Sequence, residues 1–196
     1  MTKKTLVLAT HNEHKSEEIK AIIGDLIEIK TLSDLNFNEE IPENGLTLQA
    51  NALQKAKYIH NILKQNCFAD DTGLEVTALH GDPGVFSARY AGEPSNPKNN
   101  IRKLLHEMKG ITDRTAQFRT VISVIYDEKT YFFEGSVTGR ITTEPRGEHG
   151  FGYDSVFIPD GYEETFAELS AEEKNKISHR SRALAKLRTF LLEHTR

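Results

Sequence analysis

Apolar runs in this chain have the length of strands, and they alternate with segments whose apolar residues recur at helical spacing. None approaches the roughly 20 residues of a membrane span, and the first residues carry no signal-peptide apolar region. Thr5–Ala9 is one such run. It ends in the polar Thr10-His11-Asn12, and Lys15–Ile23 follows at helical spacing, which gives strand, turn and helix. Ile19, Ile22 and Ile23 form the apolar stripe, Gly24 closes it, and Ile27 and Ile29 alternate as the next strand. Leu48, Ala52, Leu53, Ala56, Ile59, Ile62 and Leu63 predict a second helix from about Leu46 to Leu63, with Lys55, Lys57 and Lys64 on its other face. Cys67–Asp70 reads as a strand delivered into a Thr72-Gly73 turn, and Asn99–Met108 as a helix. Arg114–Tyr126 and Thr130–Val137 read as an antiparallel hairpin, Ser155–Ile158 as a strand, and Ser178 to about Glu193 as a basic helix. The early alternation and the central hairpin imply an α/β fold on a mixed, twisted sheet with flanking helices. No repeat, low-complexity tract or long linker divides residues 1–196, so a single domain is expected.

Charge removes whole classes of partner. Lys and Arg number 25 against 29 Asp and Glu, and the net charge of -4 cannot supply the broad basic field with which nucleic-acid binders displace counterions. Any phosphate must be held locally. Cys67 is the single cysteine, which excludes an internal disulfide and any multi-cysteine metal site, and fits a reducing, cytoplasmic setting. Inside a strand it reads as a small buried hydrophobe. There is no GxxxxGK[ST], and Gly150 and Gly152 begin no dinucleotide fingerprint.

Local features remain. Thr10-His11-Asn12-Glu13-His14-Lys15 lies where a strand hands over to a helix, whose free N–H groups and positive dipole end suit a phosphate, with Lys15 adding a full charge. Spacing alone equally allows Thr10 or Asn12 to be a plain helix cap. His11 and His14 lack the cysteine or HExxH context of a transition-metal site. Asp70 and Asp71 are adjacent, so strand alternation points them to opposite sides and leaves one available to hold a cation and orient water. A second acid is needed, and Glu43 in the Pro42–Gly45 turn competes with Glu39 and Glu40. The run from Lys174 to Arg182 concentrates positive charge around His179 and invites an anion, with Ser178 as a helix cap, although charge runs are also ordinary solvated faces. Phe151 and Tyr153, bracketed by glycines, offer either a stacking face or core packing.

The order of these features along the chain resembles the inosine triphosphate pyrophosphatase family. The resemblance is carried by Thr10-x-Asn12-x-x-Lys15, by 68–76 (FADDTGLEV), by 83–92 (PGVFSARYAG), by Phe151-Gly152-Tyr153-Asp154 and by Ser178-His179-Arg180. It spans essentially the whole chain, with Thr72 where many members have Ser and Ser181 where Gly is frequent. It implies an elongated, two-lobed single domain with the active site in the cleft between lobes. The implied activity is Mg²⁺-dependent hydrolysis of ITP, dITP and XTP to monophosphate and pyrophosphate by a homodimer, removing deaminated purine nucleotides before incorporation into DNA or RNA. Under the resemblance, Thr10 to Lys15 hold the triphosphate, Asp71 is general base and metal ligand with Glu43, and Lys55 faces phosphate. Thr72 contacts substrate, while Phe151, Gly152, Tyr153, Asp154, Lys174, His179 and Arg180 form the nucleoside and base pocket. A pocket rich in donors such as Arg180, His179 and Lys174 would favour a 6-oxo purine over adenine. The rival readings are a noncatalytic nucleotide-binding module and a house-cleaning pyrophosphatase for modified pyrimidine nucleotides.

Overall fold

The computed structural model describes residues 4–194. In chain order the elements are β1 (Thr5–Leu8), α1 (Glu13–Ile23), β2 (Glu28–Thr31), α2 (Leu48–Leu63), β3 (Cys67–Val76), α3 (Pro97–Glu107), β4 (Thr115–Tyr126), β5 (Lys129–Ile141), β6 (Phe157–Pro159), α4 (Ala171–Ile177) and α5 (His179–His194). Six strands form one sheet in the order β2-β1-β3-β4-β5-β6. β1 pairs in parallel with β2 and β3, and β5 is antiparallel to β6, so the sheet is mixed.

The chain divides into two compact units. The first comprises the residues through Asp71, Thr120–Gly135 and those from Arg180, and the second comprises Thr72–Arg119 and Ser136–His179. In the first unit, strand alternation sorts side chains to two sides of the sheet. Leu6 and Leu8 of β1 and Phe68 of β3 pack with Ile19 and Ile23 of α1 and with Leu184 and Leu187 of α5. The intervening Val7, Ala9, Cys67 and Ala69 pack with Ala56 and Ile59 of α2. The second unit has its own core, in which Leu74, Val76, Phe118, Phe157 and Phe166 surround Leu104 of α3 and Tyr153.

Several expected boundaries move for identifiable reasons. Asn12 caps α1 by accepting from Lys15 N, so the helix begins at Glu13 and not at Lys15. Thr47 caps α2 in the same way, leaving Leu46 outside the helix and 83% exposed. The expected Thr72-Gly73 turn is absent, because β3 runs unbroken through both residues. Gly73 is needed there for proximity: a Cβ on it would lie 2.5 Å from the Gly84 carbonyl oxygen. Asp127 and Glu128, both at positive φ, make the tight connection between β4 and β5. Outside contacts hold that connection: Asn66 Oδ1 accepts from Asp127 N, and His60 meets Glu128. The strand expected over Ser155–Ile158 starts two residues later, after a short 3-10 turn at Asp154–Val156. The basic helix expected from about Ser178 to Glu193 is α5, which begins one residue later at His179; Ser178 stands in extended conformation between it and α4, which has its own Ser170–Glu173 capping box.

Candidate active site

The alternation that builds the core of the first unit also places its charges. Phe68 faces α1 and α5, so Asp70, two residues on, faces the same side; Cys67 and Ala69 face α2, and so does Asp71. Asp70 is fully buried, and its Oδ2 meets Lys15 Nζ at 3.2 Å and accepts from Arg180 Nε at 3.2 Å and Nη2 at 3.1 Å. Burial alone would raise its pKa, but Lys15, Arg180 and Lys55 outweigh that and hold it far below the usual carboxylate range. On the other side Asp71 accepts from Asn51 Nδ2 at 3.1 Å and lies 3.9 Å from Lys55 Nζ. Its pKa is raised, chiefly by burial, with Glu43 acting in the same direction against Lys55 and Lys15.

Lys55 is not on the outer face of α2 as its spacing with Lys57 and Lys64 suggested. It is 4% exposed and donates to Glu43 Oε1. Burial would lower its pKa, yet Asp71, Glu43 and Asp70 together raise it, so it stays cationic. Of the three acids left open, Glu43 is the one whose carboxylate meets Lys55, whereas Glu39 accepts from the Tyr58 hydroxyl and Glu40 is exposed. At the strand-to-helix turn, Thr10 Oγ1 accepts from Asn12 N, and Asn12 Oδ1 accepts from Lys15 N. Burial lowers the Lys15 pKa against the pull of Asp70. Glu13 and His14 are exposed on the first turn, and His11 is drawn to the Glu39 carbonyl oxygen at 2.9 Å with its ring stacked on Phe37.

In the second unit Lys174 Nζ donates to Asp154 Oδ2 at 2.6 Å, and Phe151 N donates to the same oxygen at 2.9 Å. Gly150, at φ +72°, admits this arrangement, since a Cβ there would lie 2.1 Å from that carboxylate oxygen. The Lys174 ammonium lies 5.0 Å from the centroid of the half-buried Phe151 ring, and Gly152 is likewise half-buried. His179 is buried and stacks on Phe118 with centroids 4.6 Å apart. Thr72 is half-buried within β3.

Two residues expected in the base pocket are buried against protein partners. Tyr153 is core, its hydroxyl donating to the Ser87 carbonyl at 2.7 Å. Arg180 is 1% exposed and spends its guanidinium on Asp70 and, through Nη1, on Glu18. It belongs to the first unit, whereas Lys174 and His179 belong to the second.

Sequence reasoning missed Asn51 and Glu18. Asn51 is 2% exposed and joins Asp71 to the Glu43 turn, because its Oδ1 accepts from Gly45 N at 2.7 Å. The signal was present: Asn51 and Lys55 are polar residues within the stripe formed by Leu48, Ala52 and Ile59, four apart on one helix face. Glu18 likewise lies one turn from Lys15.

A search with family models matches residues 6–190 to the Ham1 family. This chain belongs to the Ham1 family. Among curated relatives, the dITP/XTP pyrophosphatase of Porphyromonas gingivalis is 53% identical over 188 residues, covering 95% of this chain and 97% of that protein. That of Bacillus subtilis is 47% identical over 192 residues, covering 96% and 97%. The solved Ham1 protein of Staphylococcus aureus superposes with a TM-score of 0.87 at 41% identity, over 97% of this chain and 100% of that one. The nucleoside-triphosphatase, or dITP/XTP pyrophosphatase, of Mycobacterium abscessus gives 0.75 at 38% identity, over 93% and 98%. This Ham1 member has the mixed α/β fold of those structures.

The donor set fits a hard divalent cation. Among the described residues no three His, Cys, Asp or Glu side chains cluster as a metal cage. Mg²⁺ does not require one, since it keeps several waters and is held by one or two carboxylates together with substrate phosphates. Asp71 and Glu43, which flank the Lys55 ammonium, supply that kind of oxygen donor. No described helix is long and apolar enough to cross a membrane.

Proposed function

We propose that this protein hydrolyses ITP, dITP and XTP to the nucleoside monophosphate and pyrophosphate, clearing deaminated purine nucleotides before a polymerase uses them. The observation that carries the reading is the sorting of two adjacent carboxylates by β3. Asp70 is neutralised by Arg180 and Lys15, while Asp71 is left with a raised pKa beside Asn51, Lys55 and Glu43. The names of the curated relatives, dITP/XTP pyrophosphatase, support the same chemistry.

Under this reading the free N–H groups at the start of α1, with Thr10, Asn12 and Lys15, receive the triphosphate. Asp71 orients a water and takes its proton as the water oxygen bonds to phosphorus and the α–β anhydride P–O bond breaks. Base catalysis of this kind contributes about 10² to 10⁴ fold. Lys15 and Lys55 offset the negative charge that grows on the phosphoryl oxygens. Mg²⁺ held by Asp71 and Glu43 would supply further charge neutralisation there. Phe151, Lys174, Asp154 and His179 are assigned to the nucleobase, with Lys174 and His179 as the donors that meet a 6-oxo group. A homodimer in the cytoplasm belongs to the same reading.

The test is a substrate panel. Purified protein with Mg²⁺ is given ITP, XTP, dITP, ATP, GTP and modified pyrimidine triphosphates, and pyrophosphate is quantified against orthophosphate. The expected result is pyrophosphate from ITP, dITP and XTP well ahead of ATP. Nucleotide binding without pyrophosphate release would make the protein a binding module, and preference for the pyrimidines would move it to another house-cleaning class.

A further inference from the structure

Asn51 of α2 touches both of the segments whose carboxylates are assigned to the cation. It is 2% exposed, within the stripe that Leu48, Ala52, Ala56 and Ile59 bury. Its Nδ2 donates to Asp71 Oδ2 at 3.1 Å, and its Oδ1 accepts at 2.7 Å from the N–H of Gly45, two residues past Glu43. The amide can point only this way, because a backbone N–H donates and never accepts. The loop comes in close at that point: a Cβ on Gly45 would lie 2.8 Å from Asn51 Oδ1 and 2.8 Å from Ala50 Cβ. One turn along the same helix face, Lys55 donates to Glu43 Oε1 and lies 3.9 Å from Asp71 Oδ1. Folding alone does not ask for an amide at position 51. In a buried helix interior, Leu forms helix more readily than Asn and brings no polar atoms out of water.

We propose that Asn51 is a positioning residue for the cation pair: with one carboxamide it holds Asp71 and the Glu43 turn in register, and so sets the affinity for the divalent cation. The inference rests on the reading above, in which Asp71 and Glu43 hold Mg²⁺. That ion demands near-ideal octahedral geometry, so carboxylates from two separate segments serve it only when their relation is held. Asp71 comes on a strand of the sheet, whereas Glu43 stands on the loop between β2 and α2, and the loop is the member that needs tying. Groups that hydrogen-bond to metal-binding carboxylates orient them, and losing one costs about 10- to 100-fold in metal affinity or activity. Lys55 cannot take over this task. Its ammonium rides on a flexible four-carbon stem and carries the same sign of charge as the metal. The short, uncharged amide of Asn51 ties both segments without that repulsion.

The experiment titrates Mn²⁺, which takes the same oxygen ligands as Mg²⁺, into the protein without nucleotide and reads the free ion by electron paramagnetic resonance. The proteins are the wild type, Asn51→Leu, Gly45→Ala, Glu43→Gln, Asp71→Asn and the Gly45→Ala/Glu43→Gln double variant. Turnover of ITP against Mg²⁺ concentration is measured alongside. Asn51→Leu keeps the bulk and loses both hydrogen bonds, and is expected to weaken Mn²⁺ binding by roughly 10- to 100-fold. The Mg²⁺ concentration for half-maximal turnover should rise with it. Gly45→Ala pushes the loop off the amide without touching Asp71, and should weaken Mn²⁺ binding by a smaller factor. In the Glu43→Gln background it should cause no further loss, since the residue through which the loop acts is gone. Wild-type Mn²⁺ affinity in Asn51→Leu overturns the proposal. Equal losses from Gly45→Ala with and without Glu43 overturn it in favour of a general structural role. If Asn51→Leu fails to fold, Gly45→Ala decides: unchanged affinity there overturns the proposal, and a loss that needs Glu43 supports it. A wild type whose Mn²⁺ affinity is unmoved by both Glu43→Gln and Asp71→Asn refutes the cation reading and this proposal with it. Retained affinity in Asn51→Leu beside losses in those two overturns the proposal alone.

Discussion

Asp70 and Asp71 are neighbours on one strand, both buried, and they experience opposite environments. Asp70 faces α1 and α5 and receives Lys15 and Arg180 at 3.1 to 3.2 Å, whereas Asp71 faces α2, accepts from a neutral Asn51 amide and stands 3.9 Å from Lys55. Direct contact with two cations overrides the burial penalty at Asp70; at Asp71 burial prevails. The difference teaches that a sheet separates roles by alternation alone. One face turns a carboxylate into a counter-ion that holds elements together, and on the other stands the neighbour to which the proposed function gives proton transfer and a cation.

The contrast is sharpest in paired substitutions. Asp71→Asn should lose about 10² to 10⁴ fold in turnover while nucleotide binding largely survives. Its stability should be unchanged or higher, because ionising a buried Asp71 with a raised pKa is a cost to the folded state. Asp70→Asn leaves the buried Arg180 and Lys15 without their shared counter-ion, and should cost roughly 3–5 kcal/mol in urea unfolding. Near-normal turnover in Asp71→Asn removes it from the chemistry, and a larger stability loss there than in Asp70→Asn reverses the assignment of faces.

A smaller effect follows from pH. Asp70 has a folded pKa below its unfolded value, so its contribution is complete above about 3.9 and is lost as pH falls below that toward the folded value. Asp71 has the opposite sign: its contribution is present below about 3.9 and is lost as pH rises through its raised folded value. Stability measured against pH should therefore flatten below about 4 in Asp70→Asn and in the weakly acidic range above it in Asp71→Asn. Parallel curves for the two variants would show that the faces do not differ.

Much of this frame was legible in the residues. A continuous apolar run marks β1, which is buried on both faces, while period-3.6 and period-2 patterns mark α1 and β5, which bury one face and leave the other more exposed. The adjacency of Asp70 and Asp71 already implied opposite faces. What local pattern could not supply was the identity of distant partners. Arg180 meets Asp70 across 110 positions, and Lys174 meets Asp154 across 20, so a basic run that looks like one anion site is divided between the two units. Lys55 was misplaced because its charge was weighed above its position in the α2 stripe, where a buried lysine is tolerated by Glu43 and Asp71. Thr72-Gly73 has turn-forming residue types, yet the close approach of Gly84 explains the glycine without a turn.

The smallest effect supplies the control for burial. Arg188, on the same helix as Arg180, pairs with Asp25 through two bonds of 2.6 and 2.7 Å, a pairing that resembles Arg180–Asp70 in chemistry. Asp25 is 67% exposed, however, and water already solvates both partners. Its carboxyl is pulled down to about 2 by the Arg188 hydrogen bonds, so the pair's contribution is present above about 3.9 and fades as pH falls toward 2. Solvent screening and the entropy of holding two surface side chains offset most of that gain. Asp25→Asn should therefore leave the urea midpoint at neutral pH and the turnover of ITP indistinguishable from wild type. A loss comparable to that of Asp70→Asn would mean that arginine–carboxylate pairing itself, and not its burial between β3 and the helices, sets the cost at Asp70.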